Sequence, residues 1–108
     1  MTSALLAVWT TVATRAQAQH IAEACVRERL AACVQLSMID SVYEWQGVLQ
    51  QEAEVRLVLK TTAARYPALA RRLHELHPYD LPAIFALPVA EASADYIAWI
   101  EAQTGARP

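Results

Sequence analysis

Apolar and polar positions along the chain change period several times, and each change marks an element. Residues 4–11, ALLAVWTT, are a short continuous apolar run, the pattern of a strand buried on both faces. Thr14 then stands three residues ahead of Gln17, the spacing of a capping box. Beyond it Ala18, Ile21, Ala22, Cys25, Val26 and Leu30 recur at steps of three and four, which predicts a helix with one buried stripe. Gln19, Glu23, Arg27 and Glu28 fall on its wet side.

From Ala32 the period becomes two. Ile39, Ser41, Tyr43 and Trp45 share one face of a strand, and Asp40, Val42 and Glu44 share the other. The alternation blurs between Leu36 and Met38, where a bulge or bend is expected. Gln46-Gly47 is a turn signal, with the glycine free to take positive φ. On the return strand Ala53, Val55, Leu57, Leu59 and Thr61 point one way, and Glu52, Glu54, Arg56, Val58 and Lys60 point the other. A second helix follows, with Pro67 in its first turn, a stripe of Tyr66, Leu69, Ala70, Leu73 and Leu76, and Pro78 as its stop. AIFALP, 83–88, reads as a buried strand. Ser93 caps a last helix that carries Tyr96, Ile97, Trp99 and Ile100 and ends at Gly105.

The order β-α-β-β-α-β with a terminal helix is the α+β, ferredoxin-like pattern, an antiparallel sheet with two helices on one face; the third helix is extra. The two middle strands run about a dozen residues each against a usual ~5–6. So long a hairpin overhangs a domain of 108 residues and leaves Tyr43 and Trp45 at its tip without a local core. A partner chain that covers it is expected, and Tyr43, Trp45, Glu52 and Trp99 are the candidate interface residues.

Composition adds exclusions. The length suits a single domain spanning 1–108, and a 56% hydrophobic content with two glycines supplies a core but no flexible linker. A net charge of −2 provides no basic footprint for nucleic acid and no polybasic patch for a membrane, and no apolar run is long enough to span a bilayer. Cys25 and Cys33 make no disulfide framework and read as reduced packing residues of a cytoplasmic protein. The first apolar run, followed by Ala16-Gln17-Ala18, resembles a secretory leader, but no Lys or Arg precedes it, and the strand reading is preferred.

Candidate chemistry concentrates in LHELHPYDLPAI, 73–84. His77 has two readings: a helix-end donor to orphan carbonyls, or an imidazole ligand for a metal, with His74, Glu75 and Asp80 near it in sequence. Tyr79 anchors the corner between the two prolines. Glu52 and Glu54 lie two apart on one strand face, a spacing that serves acid–base work or, more simply, ion pairs. Lys60, near the end of the same strand, suits an anionic ligand in a cleft with Tyr79 and Trp45. No Gly-rich phosphate loop, Ser-His-Asp pattern or zinc-spaced Cys/His cluster is present, so no enzyme activity is expected.

ERLAACV at 28–34, SVYEWQG at 41–47, EAEVRLVLKT at 52–61, HPYDLP at 77–82, ALPV at 86–89 and YIAWI at 96–100 resemble, in order and spacing, the CutA family of divalent-cation tolerance proteins. The resemblance implies a ferredoxin-like fold, a homotrimer like that of the PII signalling proteins with hairpins paired between subunits, a cytoplasmic location and a role in tolerance of copper(II) or another divalent ion. It also implies a metal set of a first-strand cysteine, the corner histidine and an acid after the following proline. Carried over one position at a time, these fall on Thr10, His77 and Ala83, so only His77 keeps a ligating side chain. A PII-like sensor of an anionic metabolite in the intersubunit cleft, built on Lys60, His77 and Tyr79, and a structural assembly scaffold are the alternatives.

Overall fold

The computed structural model describes residues 1–105; residues 106–108, the end of the predicted domain, lie outside them. Seven elements follow in order: β1 (Thr2–Val12), α1 (Arg15–Arg27), β2 (Cys33–Trp45), β3 (Val48–Thr62), α2 (Tyr66–Leu76), β4 (Ile84–Glu91) and α3 (Ala94–Thr104). The strands form one antiparallel sheet in the order β2-β3-β1-β4, the ferredoxin-like arrangement with a third helix added.

The main core lies under α1 and α2. Val8 and Val12 of β1 and Val55, Leu57 and Leu59 of β3 project to one sheet face and meet Ile21 and Cys25 of α1 and Leu69 and Leu73 of α2. Alternation puts Leu5 on the opposite face, where Ile100 of α3 packs on it beside Ala32. The capping box at Thr14 forms in both directions: Gln17 N–H donates to Thr14 Oγ1 at 3.1 Å, and Thr14 N–H donates to Gln17 Oε1 at 3.2 Å. Ala18, Ile21, Ala22 and Cys25 are buried as the stripe predicts, but Val26 is 42% exposed. It stands at the rim beside Val34 and Leu36 of β2, where the helix layer ends.

The middle hairpin is longer than predicted. Its register runs unbroken from Cys33↔Lys60 to Trp45↔Val48, so the expected bulge between Leu36 and Met38 is absent. Val34 and Leu36 face the helices, whereas Met38, on the same face, is 60% exposed. The blurred alternation therefore records the edge of the helix layer, not a change in the backbone. The turn places both Gln46 (φ 52) and Gly47 (φ 78) in the left-handed region, the two-residue geometry that matches the right-handed twist of paired strands. The long axis of the molecule, 48 Å, is close to the length of β3 alone at about 3.4 Å per residue.

Two burial expectations are corrected. β4 is not a buried strand: it forms one sheet edge, and Phe85 and Leu87 are 47% and 46% exposed because α3 covers only the other end of that face. β1 is central, but it is not buried on both faces along its length: α3 covers Leu5 on the second face, whereas Ala7 and Trp9 on that face are half-buried.

Candidate functional site

The corner that follows α2 is built around His77. Its backbone N–H closes the last helical turn on Leu73 O at 2.9 Å, and its extended ψ of 133° ends the helix one residue before Pro78. The ring turns back to the end of β1. Nε2 lies 2.9 Å from Thr11 O and 3.1 Å from Thr10 Oγ1, and Nδ1 lies 3.2 Å from the backbone N of Tyr79. A carbonyl only accepts, so these partners assign the proton to Nε2, and Nδ1 accepts from the Tyr79 N–H. Burial holds the pKa of this imidazole below its ordinary value, against the opposing pull of the Thr11 carbonyl. The ring thus bonds β1 to the corner, and not to the orphan carbonyls of its own helix.

Tyr79 extends the corner across the sheet. Its ring meets His77 edge-on at 4.9 Å, and its hydroxyl donates to Glu54 Oε2 at 2.8 Å. Burial, and then the bond to Glu54, raises the phenol pKa. Glu54 itself is only 6% exposed. The sequence paired it with Glu52 on one strand face, for acid–base work or ion pairs; in the structure the corner lies over it and Tyr79 is its hydrogen-bond partner.

Between the hairpin and the corner is a cleft of about 480 Å³, lined by Thr11, Ala13, Tyr43, Trp45, Glu52, Glu54, Tyr79, Asp80, Leu81 and Ala83. Its chemistry is acidic and aromatic. Three carboxylates reach it, and the ion pairs among the described residues, Arg27–Glu23 and Arg72–Glu28, lie on the helices and their loop. Arg56 shares the Glu54 face of β3 but is laid over the Trp9 ring, 4.6 Å from its centroid.

Of the predicted ligand-cleft residues, Trp45 and Tyr79 come together here, joined by Tyr43 and Glu52 from the interface set. Lys60 does not. Its Nζ donates to Gln35 Oε1 at 2.9 Å, and six residues of strand, about 20 Å, separate it from Glu54. Trp99 sits on α3, stacked on Tyr96 at 6.2 Å with both rings exposed. Cys25 is fully buried and its thiol is pushed up to about 11 by burial, so it packs as expected; Cys33 is only half-buried. The sequence named Glu54 beside Glu52 and Asp80 beside His77 but did not join either to this cleft, and it missed Thr11. The two-residue turn held the signal: it fixes the pairs Ser41↔Glu52 and Ile39↔Glu54, and directly paired residues share a face.

The residues do not fit a metal centre within one chain. Thr10 and His77 do meet, as the resemblance implies, but Thr10 carries no thiolate, Ala83 no carboxylate, and both His77 nitrogens are engaged. Among the described residues no group of three or more His, Cys, Asp or Glu side chains is placed to hold a metal ion. No described helix is long and apolar enough to cross a membrane.

Fold and corner together define an α+β, ferredoxin-like protein with an overhanging hairpin and a cleft at its root. The family described as CutA1 divalent ion tolerance protein matches residues 6–103. The divalent-cation tolerance protein CutA of Thermus thermophilus is 44% identical over 96 residues, which cover 88% of this chain and 93% of that protein. The human protein CutA is 40% identical over 88 residues; 81% of this chain matches it, and the chain spans about half the length of the human and mouse proteins. The structure of CutA from Synechococcus elongatus superposes with a TM-score of 0.95 at 37% identity, covering 97% of this chain and 95% of that one. The chain belongs to the CutA1 family of divalent-ion tolerance proteins.

Proposed function

We propose that the chain acts in tolerance of divalent metal ions, copper(II) among them, as a homotrimer in the cytoplasm. The observation that carries the trimer is the sheet. Its two edges, β2 and β4, are both unpaired among the described residues, and its open face carries Trp9, Phe85 and Leu87. Joining the β2 edge of one chain to the β4 edge of the next is a head-to-tail contact, which is satisfied everywhere only if the ring closes. The overhanging hairpin supplies the reach for that contact. The two free thiols suit a reducing compartment.

The metal is treated on this reading as cargo or signal, met between subunits. His77 joins it only by leaving Thr11 and Tyr79. The acidic lining around Tyr79, with Lys60 at the far end of its strand, argues against an anion sensor built within one chain. No catalytic role is part of the reading.

Light scattering should report about 36 kDa, three times 11.9 kDa, at micromolar concentration. Leu87→Asp, a charge in the middle of the open face, should release monomer. A wild-type mass of one chain ends the trimer reading. Copper titration calorimetry on the wild type and on His77→Ala then locates the metal: heat that survives the substitution places the contact away from His77, and heat lost with it shows that the ring turns out.

A further inference from the structure

We propose that the cleft between the hairpin and the His77–Ala83 corner binds a small organic cation, an alkylammonium, with its charge at Glu54 and its aliphatic part along Trp45 and Leu81.

Glu54 is the starting point. Its carboxylate is only 6% exposed, lines the cleft, and among the described residues accepts one hydrogen bond, from the neutral hydroxyl of Tyr79. The described ion pairs do not include it. Oε2 takes the Tyr79 bond, while among the described residues Oε1 makes none and is not a buried atom, so it stays open to the cleft as an acceptor for a cation. The fold has turned the nearest candidates away: Arg56 lies over Trp9, and Lys60 bonds Gln35.

The lining selects the kind of cation. A divalent metal needs several ligands converging on one point, and the described residues offer no such group. An ammonium needs acceptors on one side and aromatic faces on the others. Tyr43, Trp45 and Tyr79 supply the rings, and Glu52 and Asp80 add negative potential at the rim. Leu81 and Ala83 supply apolar wall for a short alkyl chain, and about 480 Å³ accommodates it. An anion would meet three carboxylates. The inference goes beyond the trimer reading; Tyr43, Trp45 and Glu52 also belong to the expected interface, so on that reading the amine sits where neighbouring chains meet.

The test is titration calorimetry on the full chain with butylammonium chloride, n-butanol and sodium butyrate at matched ionic strength. Butylammonium alone should bind. Glu54→Gln still accepts from Tyr79 and should weaken binding by about tenfold or more, since the charge is gone. Trp45→Ala should weaken it about fivefold through the lost ring. Thermal melting separates this from a structural role: Glu54→Gln should leave the ligand-free melting temperature unchanged or raised, because the charge it removes has no partner. If that variant does not fold, Asp80→Asn and Trp45→Ala carry the test at the exposed rim. Equal binding of butylammonium and butanol, affinity indifferent to Glu54→Gln or, failing that variant, to both rim substitutions, or no heat from the amine overturns the proposal. Splitting of the oligomer by Glu54→Gln with no amine binding also overturns it, since the counter-charge is then a neighbour's side chain; the trimer reading survives that result.

Discussion

The two halves of the β2–β3 hairpin share one hydrogen-bond ladder and differ in everything else. In the inner half Leu57 and Leu59 are fully buried beneath α1 and α2. In the outer half Val42, Val48 and Leu49 are 63%, 57% and 73% exposed on the same continuous register. Strand pairing therefore needs no core beneath it, but apolar residues along a strand do. The inner half stabilises the chain, and the outer half stores apolar surface that becomes stabilising only when another surface covers it. The cleft lies where the two regimes meet, with the corner from α2 closing over the first residue of β3 beyond the helix layer.

The comparison breaks most sharply at Leu57. Leu57→Ala should cost about 2–5 kcal/mol in denaturant unfolding, because the cavity lies under two helices and cannot collapse. His77→Ala should cost about 1–3 kcal/mol, since it leaves the Thr11 carbonyl and the Tyr79 N–H without their partner. The same residue sets a pH dependence. Its folded pKa lies below the ordinary 6.5, so the unfolded chain takes the proton first. The stability it contributes is complete above that value and is lost as pH falls below it toward the lowered folded pKa. Melts across this window should slope in the wild type and flatten in His77→Ala.

Smaller effects sharpen the contrast. Thr14→Ala removes the acceptor of the α1 capping box and should cost about 1 kcal/mol. Leu49→Ser in the outer half should change the stability of the isolated chain by no more than about 0.5 kcal/mol. Under assembly conditions the same substitution should lower the melting temperature in a concentration-dependent way. A concentration-independent loss at Leu49 as large as that at Leu57 would show that the outer half has a core of its own.

Much of the fold was legible because its signals are local. Thr14 and Gln17 announced a cap, Gln46-Gly47 a turn, Pro67 a helix start and Ser93 another cap, and each formed where the residues stand. The failures share one cause. Val26 and Phe85 with Leu87 were read as buried from their own apolarity, and the blurred alternation from Leu36 to Met38 as a bulge, but all three depend on how far the helix layer extends. Of the site, the residues were named and the grouping was missed. Lys60 was joined to Tyr79 through a presumed cleft, although parity and register already placed Glu52 and Glu54 beside the hairpin tip.

The sequence by itself determined the element order, the caps, the turn and the two faces of every strand, because these follow from backbone stereochemistry and periods of two and 3.6. Only the tertiary structure decided that His77 spends both nitrogens on β1 and the corner, that Glu54 is buried, and that the cleft is acidic. Those outcomes depend on where a loop after α2 crosses the end of a sheet, and hence on contacts between residues more than 20 apart that no local pattern encodes.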